Sequence, residues 1–194
     1  MVTPQVIKQL REETGISIME CKKALEEAKG DFAKAKTILE TRGKAVAQKK
    51  SERAIKEGML GCYIHATGKV GVLVELGCET DFVAKNPAFK ELAHNVAMHI
   101  AAMNPKYLKP EEISPEILNE EKEIYRQEFS GLGKPDNLVE KMIEGKLKKR
   151  AEEISLLTQN YVKDQDKTIS DLINEAISKF GENIVIGRFV RFSL

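Results

Sequence analysis

The sequence predicts an α+β protein with an N-terminal three-helix bundle, a helical linker, and a small antiparallel sheet packed with helices and a helical hairpin. Residues 1–43 show three short helical patterns bounded by cap residues and glycines. Two stretches of alternating apolar residues meet at Thr67-Gly68, and a last strand pattern lies at 184–192. We therefore expect a helical domain at 1–43, a basic helical linker at 44–57 and an α+β domain at 58–194.

The three N-terminal helices are predicted from the signals at their ends. Thr3 precedes Pro4, and proline is favoured at the first helical position because its missing N–H would be unpaired there in any case. Ser17 and Glu20 have the spacing of a capping box, in which each side chain bonds the backbone amide of the other residue. Gly43 is expected to stop the third helix. A bundle of about 40 residues is marginally stable alone.

The linker and the residues just before it are rich in basic side chains. Six basic residues accompany a single acidic one: Arg42, Lys44, Lys49, Lys50, Arg53 and Lys56. They could contact RNA, or they could form the solvated face of a helix with cations near its C-terminal end. The whole chain balances 31 basic against 30 acidic residues, and no aromatic platform accompanies the stretch. Both facts favour the solvated face, so we expect no direct contact with nucleic acid.

The two strands predicted at Met59–Ala66 and Lys69–Cys78 have a defined register. A two-residue turn between them places Val72 opposite Tyr63. Alternate residues over 70–76 are apolar, which is typical of an antiparallel strand with one face toward the core.

Helices are expected through most of the remaining chain. Asn86-Pro87 starts a helix with a wide apolar stripe that covers the hairpin of strands. A helical hairpin follows at about 114–154, with its turn at 130–135, and the segment 156–167 is expected to be irregular. A further helix at 170–180 precedes the last strand, which could lie at an edge of the sheet.

The sequence shows no clear signature of a metal site, an enzyme or a membrane span. His94 and His99 are five residues apart, point to different sides of a helix and form no metal motif, so we expect neither a metal nor a cofactor. Three cysteines without a paired motif fit a reducing compartment, and we expect a cytoplasmic protein. No apolar run approaches the length of a membrane span. An enzyme would need a polar site, for instance around Glu79 and Asp81, but carboxylates are common on surfaces.

The segment after the second strand leaves two interpretations open. Thr80 has a position from which it could cap a helical turn, with Asp81 favourable near the positive end of that turn. Phe82 then falls at an exposed junction. It could fold inward as a core residue, because phenylalanine is usually buried, or it could insert into a partner.

Several segments of the chain resemble the translation elongation factor Ts family. Its N-terminal signature resembles LREETG (10–15) followed by ECKKAL (20–25), and its second signature resembles ETDFVA (79–84). The segments at 156–168 and 181–192 also look like the family. The resemblance covers nearly the whole chain, in the right order.

The resemblance implies a guanine-nucleotide exchange factor for elongation factor Tu, with no covalent chemistry. The N-terminal bundle is similar to the ubiquitin-associated type and is expected to dock on the nucleotide-binding domain of the GTPase. The second signature is expected to enter near the Mg²⁺ site, where its phenylalanine wedges between helices and nucleotide affinity falls.

The resemblance also assigns site residues and an assembly. Residues expected to perturb Mg²⁺ coordination in the GTPase are Thr80, Asp81, Phe82 and Val83. Residues expected to contribute to N-terminal docking are Leu10, Arg11, Thr14, Gly15 and Met19. The chain holds one copy of a core that longer members carry twice, so a homodimer is expected.

Overall fold

The computed structural model describes residues 2–130 and 135–194 and has eight α-helices and five strands within them. The elements in chain order are α1 (Pro4–Thr14), α2 (Ile18–Glu27), α3 (Phe32–Lys50), β1 (Glu57–Ile64), β2 (Val70–Cys78), α4 (Asp81–Ala84), α5 (Pro87–Met103), α6 (Pro115–Phe129), α7 (Asp136–Ile154), β3 (Asn160–Tyr161), β4 (Asp164–Thr168), α8 (Ile169–Phe180) and β5 (Val185–Ser193). This is the predicted α+β class.

The first three helices enclose a small apolar core of their own. Its buried residues are Leu10, Cys21, Ala24, Leu25, Ala28, Ala35 and Leu39. The side chain of Thr3 caps α1, as predicted, by accepting from the amide of Val6. The Ser17 hydroxyl likewise accepts from the Glu20 amide at 3.3 Å. The carboxylate of Glu20, however, bonds Lys23 and Arg42 instead of returning to Ser17, so the reciprocal half of the predicted box is replaced by ion pairs.

Helix α3 does not stop at Gly43, and this prediction from the sequence was wrong. The helix continues to Lys50, so the first half of the expected linker belongs to it, while 51–56 lie outside any helix. A glycine inside a helix weakens it by only about 1 kcal/mol relative to alanine. At this position the glycine allows close packing, because a Cβ on Gly43 would lie 2.8 Å from the Ser178 hydroxyl oxygen of α8. Helix α3 thus links the bundle to the core by direct contact with α8.

The main sheet has the order β1-β2-β5 and is antiparallel throughout. Tyr63 pairs with Val72, so the predicted register of the hairpin is confirmed, and β5 lies at an edge. One face of β2 is buried through Val72, Val74 and Leu76. These residues join α5 and α8 in one core, where the rings of Phe89 and Phe180 meet edge to face.

The opposite face of the sheet is exposed and carries a group of large apolar residues beside the Glu75–Arg188 ion pair. Its large apolar residues are Leu60, Ile64, Leu73, Val190 and Phe192. The register places them together, since Leu73 pairs with Val190 and Ile64 and Phe192 both pair with Gly71. We call this surface the outer sheet face.

Helices α6 and α7 pack against each other as the predicted helical hairpin. The turn expected at 130–135 falls largely on residues outside those described. The segment expected to be irregular is ordered instead: a 3₁₀ turn at Leu156–Thr158 leads into the β3–β4 ribbon. Fully buried His99 holds this segment, because its Nδ1 accepts from the amide of Val162 and its Nε2 bonds Gln159. The described residues contain no helix with the length and apolar character of a membrane span.

Candidate functional site

The short helix α4 carries the most exposed phenylalanine of the described residues. It occupies only Asp81–Ala84, between the end of β2 and the start of α5. Phe82 is 82% exposed, so the interpretation in which it folds into the core is wrong. Its neighbour Val83 is only 8% exposed and packs into the main core. The turn therefore uses Val83 as its anchor and presents Phe82 to solvent.

Thr80 occupies the N-cap position of α4 but does not cap it. Its hydroxyl makes no bond to the helix amides and instead donates to Oε1 of Glu182 at 2.5 Å. The predicted capping role of Thr80 is wrong: the side chain is turned toward Glu182, so its oxygen accepts from none of the helix amides. The carbonyl of Thr80 still accepts from the amide of Ala84 at 3.2 Å.

Two segments that are distant in sequence are joined by hydrogen bonds just before α4. Oε2 of Glu182 accepts from the backbone amides of Glu79 and Thr80, at 3.1 and 3.0 Å. In return, Oε1 of Glu79 accepts from the backbone amide of Asn183 at 2.6 Å. We call these four residues the 79–80/182–183 clamp. The bond from Asn183, reinforced by the nearby Arg53 guanidinium, holds the pKa of Glu79 below its usual value.

The clamp is tied to the chain that follows α3. Asn183 is buried, and its side-chain amide donates to the carbonyl oxygens of Ser51 and Arg53, at 3.3 and 3.0 Å. Arg53 also lies 3.4 Å from the Glu79 carboxylate. The position of α4 is therefore fixed by three separate parts of the chain.

Asp81 faces solvent beside Phe82 and is paired within its own turn. Its carboxylate lies 2.7 Å from the ammonium group of Lys85, one helical turn later. The hydrogen bond from Lys85 lowers the pKa of Asp81, so this carboxylate is charged at neutral pH. Glu79 and Asp81 thus have different partners and do not converge on a shared polar site. Across residues 2–130 and 135–194, no group of three or more potential ligands is placed to hold a metal ion.

The five N-terminal site residues have different environments in the bundle. Leu10 is fully buried in its core, so its side chain supports the bundle and is not available to a partner in this conformation. Thr14 is half-buried, and its hydroxyl donates to the Leu10 carbonyl at 2.7 Å. Gly15 ends α1 in the left-handed conformation. Arg11 and Met19 are exposed, and Met19 offers an apolar surface that is 62% accessible.

Four of the six basic residues at 42–56 are engaged within the chain. Arg42 pairs with Glu20 and Glu27 of α2, and Lys44 lies 2.9 Å from Asp171 of α8. The other two engaged residues are Lys50, which bonds the carbonyl of Gly181, and Arg53 of the clamp region. This stretch therefore serves largely to join the bundle to the core.

The sequence did not point to Glu182 and Asn183 as part of the site. In the sequence, the run Gly181-Glu182-Asn183 indicates only a boundary before the last strand. Its one local signal is the pair of polar side chains directly before an apolar strand, which is also typical of any surface turn.

The fold and the site define an α+β protein with a helical bundle, a three-stranded sheet and one aromatic presented on a clamped turn. The family model described as Elongation factor TS matches residues 5–194. The chain belongs to the elongation factor Ts family and thereby has a role in translation elongation.

Curated relatives agree over the full length of the chain. An elongation factor Ts from Pseudothermotoga lettingae is 54% identical over 190 residues, covering 98% of this chain and 96% of the relative. One from Thermosipho melanesiensis is 50% identical over 194 residues, covering 100% and 99%. One from Thermodesulfovibrio yellowstonii is 52% identical over 193 residues, covering 100% and 96%.

Proposed function

We propose that this chain is a guanine-nucleotide exchange factor for the GTPase elongation factor Tu. It binds the GDP-bound GTPase, perturbs the Mg²⁺ site, promotes GDP release and stabilises the nucleotide-free form until GTP binds. The observation that carries the proposal is Phe82, an aromatic side chain held in solvent on a turn whose backbone is fixed from outside. Family membership names the partner class.

Phe82 supplies the wedge. Aromatic side chains dominate interface energetics, and a side chain fixed before binding loses less conformational entropy when it is buried by a partner. Val83 cannot serve in the same way, because it is packed in the core. Of the four residues assigned to Mg²⁺ perturbation, Thr80 and Val83 therefore hold the turn, while Asp81 and Phe82 face the partner.

Asp81 acts on polar contacts around the ion. Its charged carboxylate is held by Lys85, which is itself exposed, and such exposed pairs contribute little because solvent screens them. A stronger cationic or hydrogen-bonding partner on the GTPase can therefore take over this carboxylate. Phosphates and Mg²⁺ hold the switch regions of GTPases, so disturbing the ion's surroundings weakens the hold on GDP.

Thermodynamic linkage defines what the factor must do. If it weakens GDP binding by some factor, GDP must weaken binding of this chain by the same factor. No covalent bond forms or breaks, so the chain is not an enzyme of covalent chemistry. Incoming GTP completes the cycle by displacing the chain.

The N-terminal bundle provides a second contact. Met19 and Arg11 are exposed on it, whereas Leu10 and Thr14 keep the bundle in shape. Since α3 is one continuous helix that packs on α8, the bundle and the Phe82 turn reach the partner as parts of one body.

The chain forms a homodimer through its outer sheet face. Contiguous exposed apolar surface of this kind marks interaction sites in proteins. Leu73 lies at the centre of this face, on the middle strand, so Leu73→Lys should give monomers in light scattering at micromolar concentration. A wild-type chain that is already monomeric under these conditions would contradict the dimer.

The proposal includes no direct contact with nucleic acid and none with a membrane. The internal pairing of Arg42, Lys44, Lys50 and Arg53 leaves little of the basic stretch for RNA. RNA affinity that falls steeply with salt would favour the alternative of an RNA-associated protein.

Release of fluorescent GDP from elongation factor Tu tests the exchange function. Catalytic amounts of this chain should accelerate release with turnover when unlabelled nucleotide is in excess. Absence of acceleration by a folded sample, with Tu from the same organism, would overturn the proposal.

A further inference from the structure

We propose that Glu182 is a positioning residue for exchange: its carboxylate holds the backbone at 79–80 so that the following turn presents Phe82 to the GTPase. This inference rests on the exchange function proposed above and deepens it. It assigns a role to a residue that lies 102 positions away from Thr80 and outside the segment that carries the aromatic.

Helix α4 cannot hold itself in place. A helix of four residues is too short to be stable alone, because nucleation fixes several dihedral angles for each hydrogen bond gained. Its own backbone bonds run from Ala84 to Thr80 and from Lys85 to Asp81, at 3.2 and 3.0 Å. Val83 and Ala84 pack against the main core on one side of the turn, and the Cys78 thiol donates to the carbonyl of Thr80 at 3.2 Å. None of these contacts engages the backbone amides of Glu79 and Thr80. The backbone that leads into Phe82 therefore needs a further constraint.

Glu182 supplies that constraint with both of its carboxylate oxygens. Oε2 accepts two consecutive backbone amides, those of Glu79 and Thr80, and Oε1 accepts the hydroxyl of Thr80. Three donors on two adjacent residues define both the position and the direction of the backbone that enters α4. Hydrogen bonds to an ionised acceptor are also stronger than neutral ones.

Glu182 is in turn held by a buried neighbour. Asn183 is almost fully buried, bonds the carbonyls of Ser51 and Arg53, and donates its own amide to Glu79. Because Asn183 is bonded to two other chain segments, 51–53 and Glu79, the side chain of Glu182 starts from a defined backbone. The clamp therefore transmits the position of the core to the turn.

The test compares Glu182→Gln with the matched control Glu175→Gln. Glutamine has the same shape as glutamate but no charge. Its NH₂ group is a donor, and it would face amide or hydroxyl donors whose bonds the Glu182 carboxylate accepts. Glu175 lies on α8 nearby and also forms an ion pair, with Lys167, but it does not touch the clamp. Glu182→Gln should lower kcat/KM for GDP release about 10-fold or more, since small misplacement of a contacting group is costly. Glu175→Gln should change it less than about twofold.

A double-mutant cycle separates positioning from general destabilisation. If Glu182 acts through Phe82, then Phe82→Ala should cost much less activity in the Glu182→Gln background than in wild type. A purely structural effect of Glu182 would leave the cost of Phe82→Ala unchanged, and that result would overturn the proposal. Activity of Glu182→Gln equal to that of the Glu175→Gln control would also overturn it.

Amide hydrogen exchange of the chain alone keeps the inference independent of the exchange function. The amides of Glu79 and Thr80 should exchange faster in Glu182→Gln, while amides of β2 keep their protection. Unchanged protection at these two amides would overturn the clamp even if the wild-type chain does not act on Tu. If Glu182→Gln fails to fold, Thr80→Val removes one of the three bonds and should show a smaller loss in the same direction. No loss in that variant would count against the proposal.

Discussion

Replacing Phe82 by alanine separates the contribution of this side chain to folding from its contribution to the partner complex. The side chain is 82% exposed, so only about a fifth of it is covered by the rest of the chain. Complete burial of a phenylalanine side chain contributes about 1.5–3 kcal/mol. The covered fifth then contributes about 0.5 kcal/mol or less to the free energy of unfolding.

The same side chain has most of its burial still available to a partner. If the GTPase covers the exposed four-fifths, the complex gains about 1–2.5 kcal/mol from Phe82. A loss of that size in the transition state for GDP release corresponds to about a 5- to 70-fold fall in kcat/KM. The variant should therefore lose most of its activity and almost none of its stability.

Two measurements on the same preparation test this difference. Urea unfolding gives the free energy of unfolding, and stopped-flow release of fluorescent GDP from Tu gives kcat/KM. A suitable control is Ile124→Ala, because Ile124 is an exposed apolar residue, 62% accessible, on the distant helical hairpin. It should change neither quantity appreciably.

Full activity in a folded Phe82→Ala variant would refute the reasoning, because the wedge would then not be the side chain that the turn presents. Loss of stability well above 1 kcal/mol would refute it in another way. The phenylalanine would then be packed against the chain in solution rather than held in solvent.

Three further predictions concern the core. Gly61→Ala should lower the free energy of unfolding by about 1–3 kcal/mol in urea titrations, because a Cβ there would lie 2.7 Å from the backbone carbonyl oxygen of Ala93; an unchanged midpoint would contradict this close approach. Gly43→Ala should gain about 1 kcal/mol of helix propensity only when Ser178 is also alanine, since the Ser178 hydroxyl oxygen would otherwise meet the new methyl group; equal gains in both backgrounds would count against the contact. Burial lowers the pKa of His99, so the unfolded chain binds a proton that the folded chain excludes, and stability should fall as pH drops below about 6.5. His99→Gln should show a shallower fall in urea midpoints between neutral and mildly acid pH, and an identical slope would refute that assignment.

Features that depend on residues close together in the sequence could be predicted from the sequence. The cap at Thr3 depends on the first turn of α1, and the register of β1 and β2 follows from the length of their turn. The continuation of α3 through Gly43 was not accessible. Gly43 allows the close approach of Ser178, which lies on the last helix, and a single sequence does not show that contact. The β3–β4 ribbon was missed for the same reason, because buried His99 of α5 holds it.

The candidate site shows the same difference between features set by local sequence and features set by long-range contacts. The sequence located the exposed junction at Phe82 but could not decide its orientation, because phenylalanine is usually buried. The structure resolves this through two groups: Val83 takes the buried place beside it, and Glu182 fixes the backbone ahead of it. The second of these depends on a contact between residues far apart in the chain, for which a single sequence has no pattern.

The Mg²⁺ dependence of GDP release from elongation factor Tu tests the central claim most directly. With Mg²⁺ in excess, the wild-type chain should accelerate release far more than Phe82→Ala does. When Mg²⁺ is removed by a chelator, the two should converge, because the ion whose surroundings the Phe82 turn disturbs is already absent. If wild type keeps its full advantage over Phe82→Ala without Mg²⁺, the Phe82 turn does not act through the ion, and the proposed mechanism is contradicted.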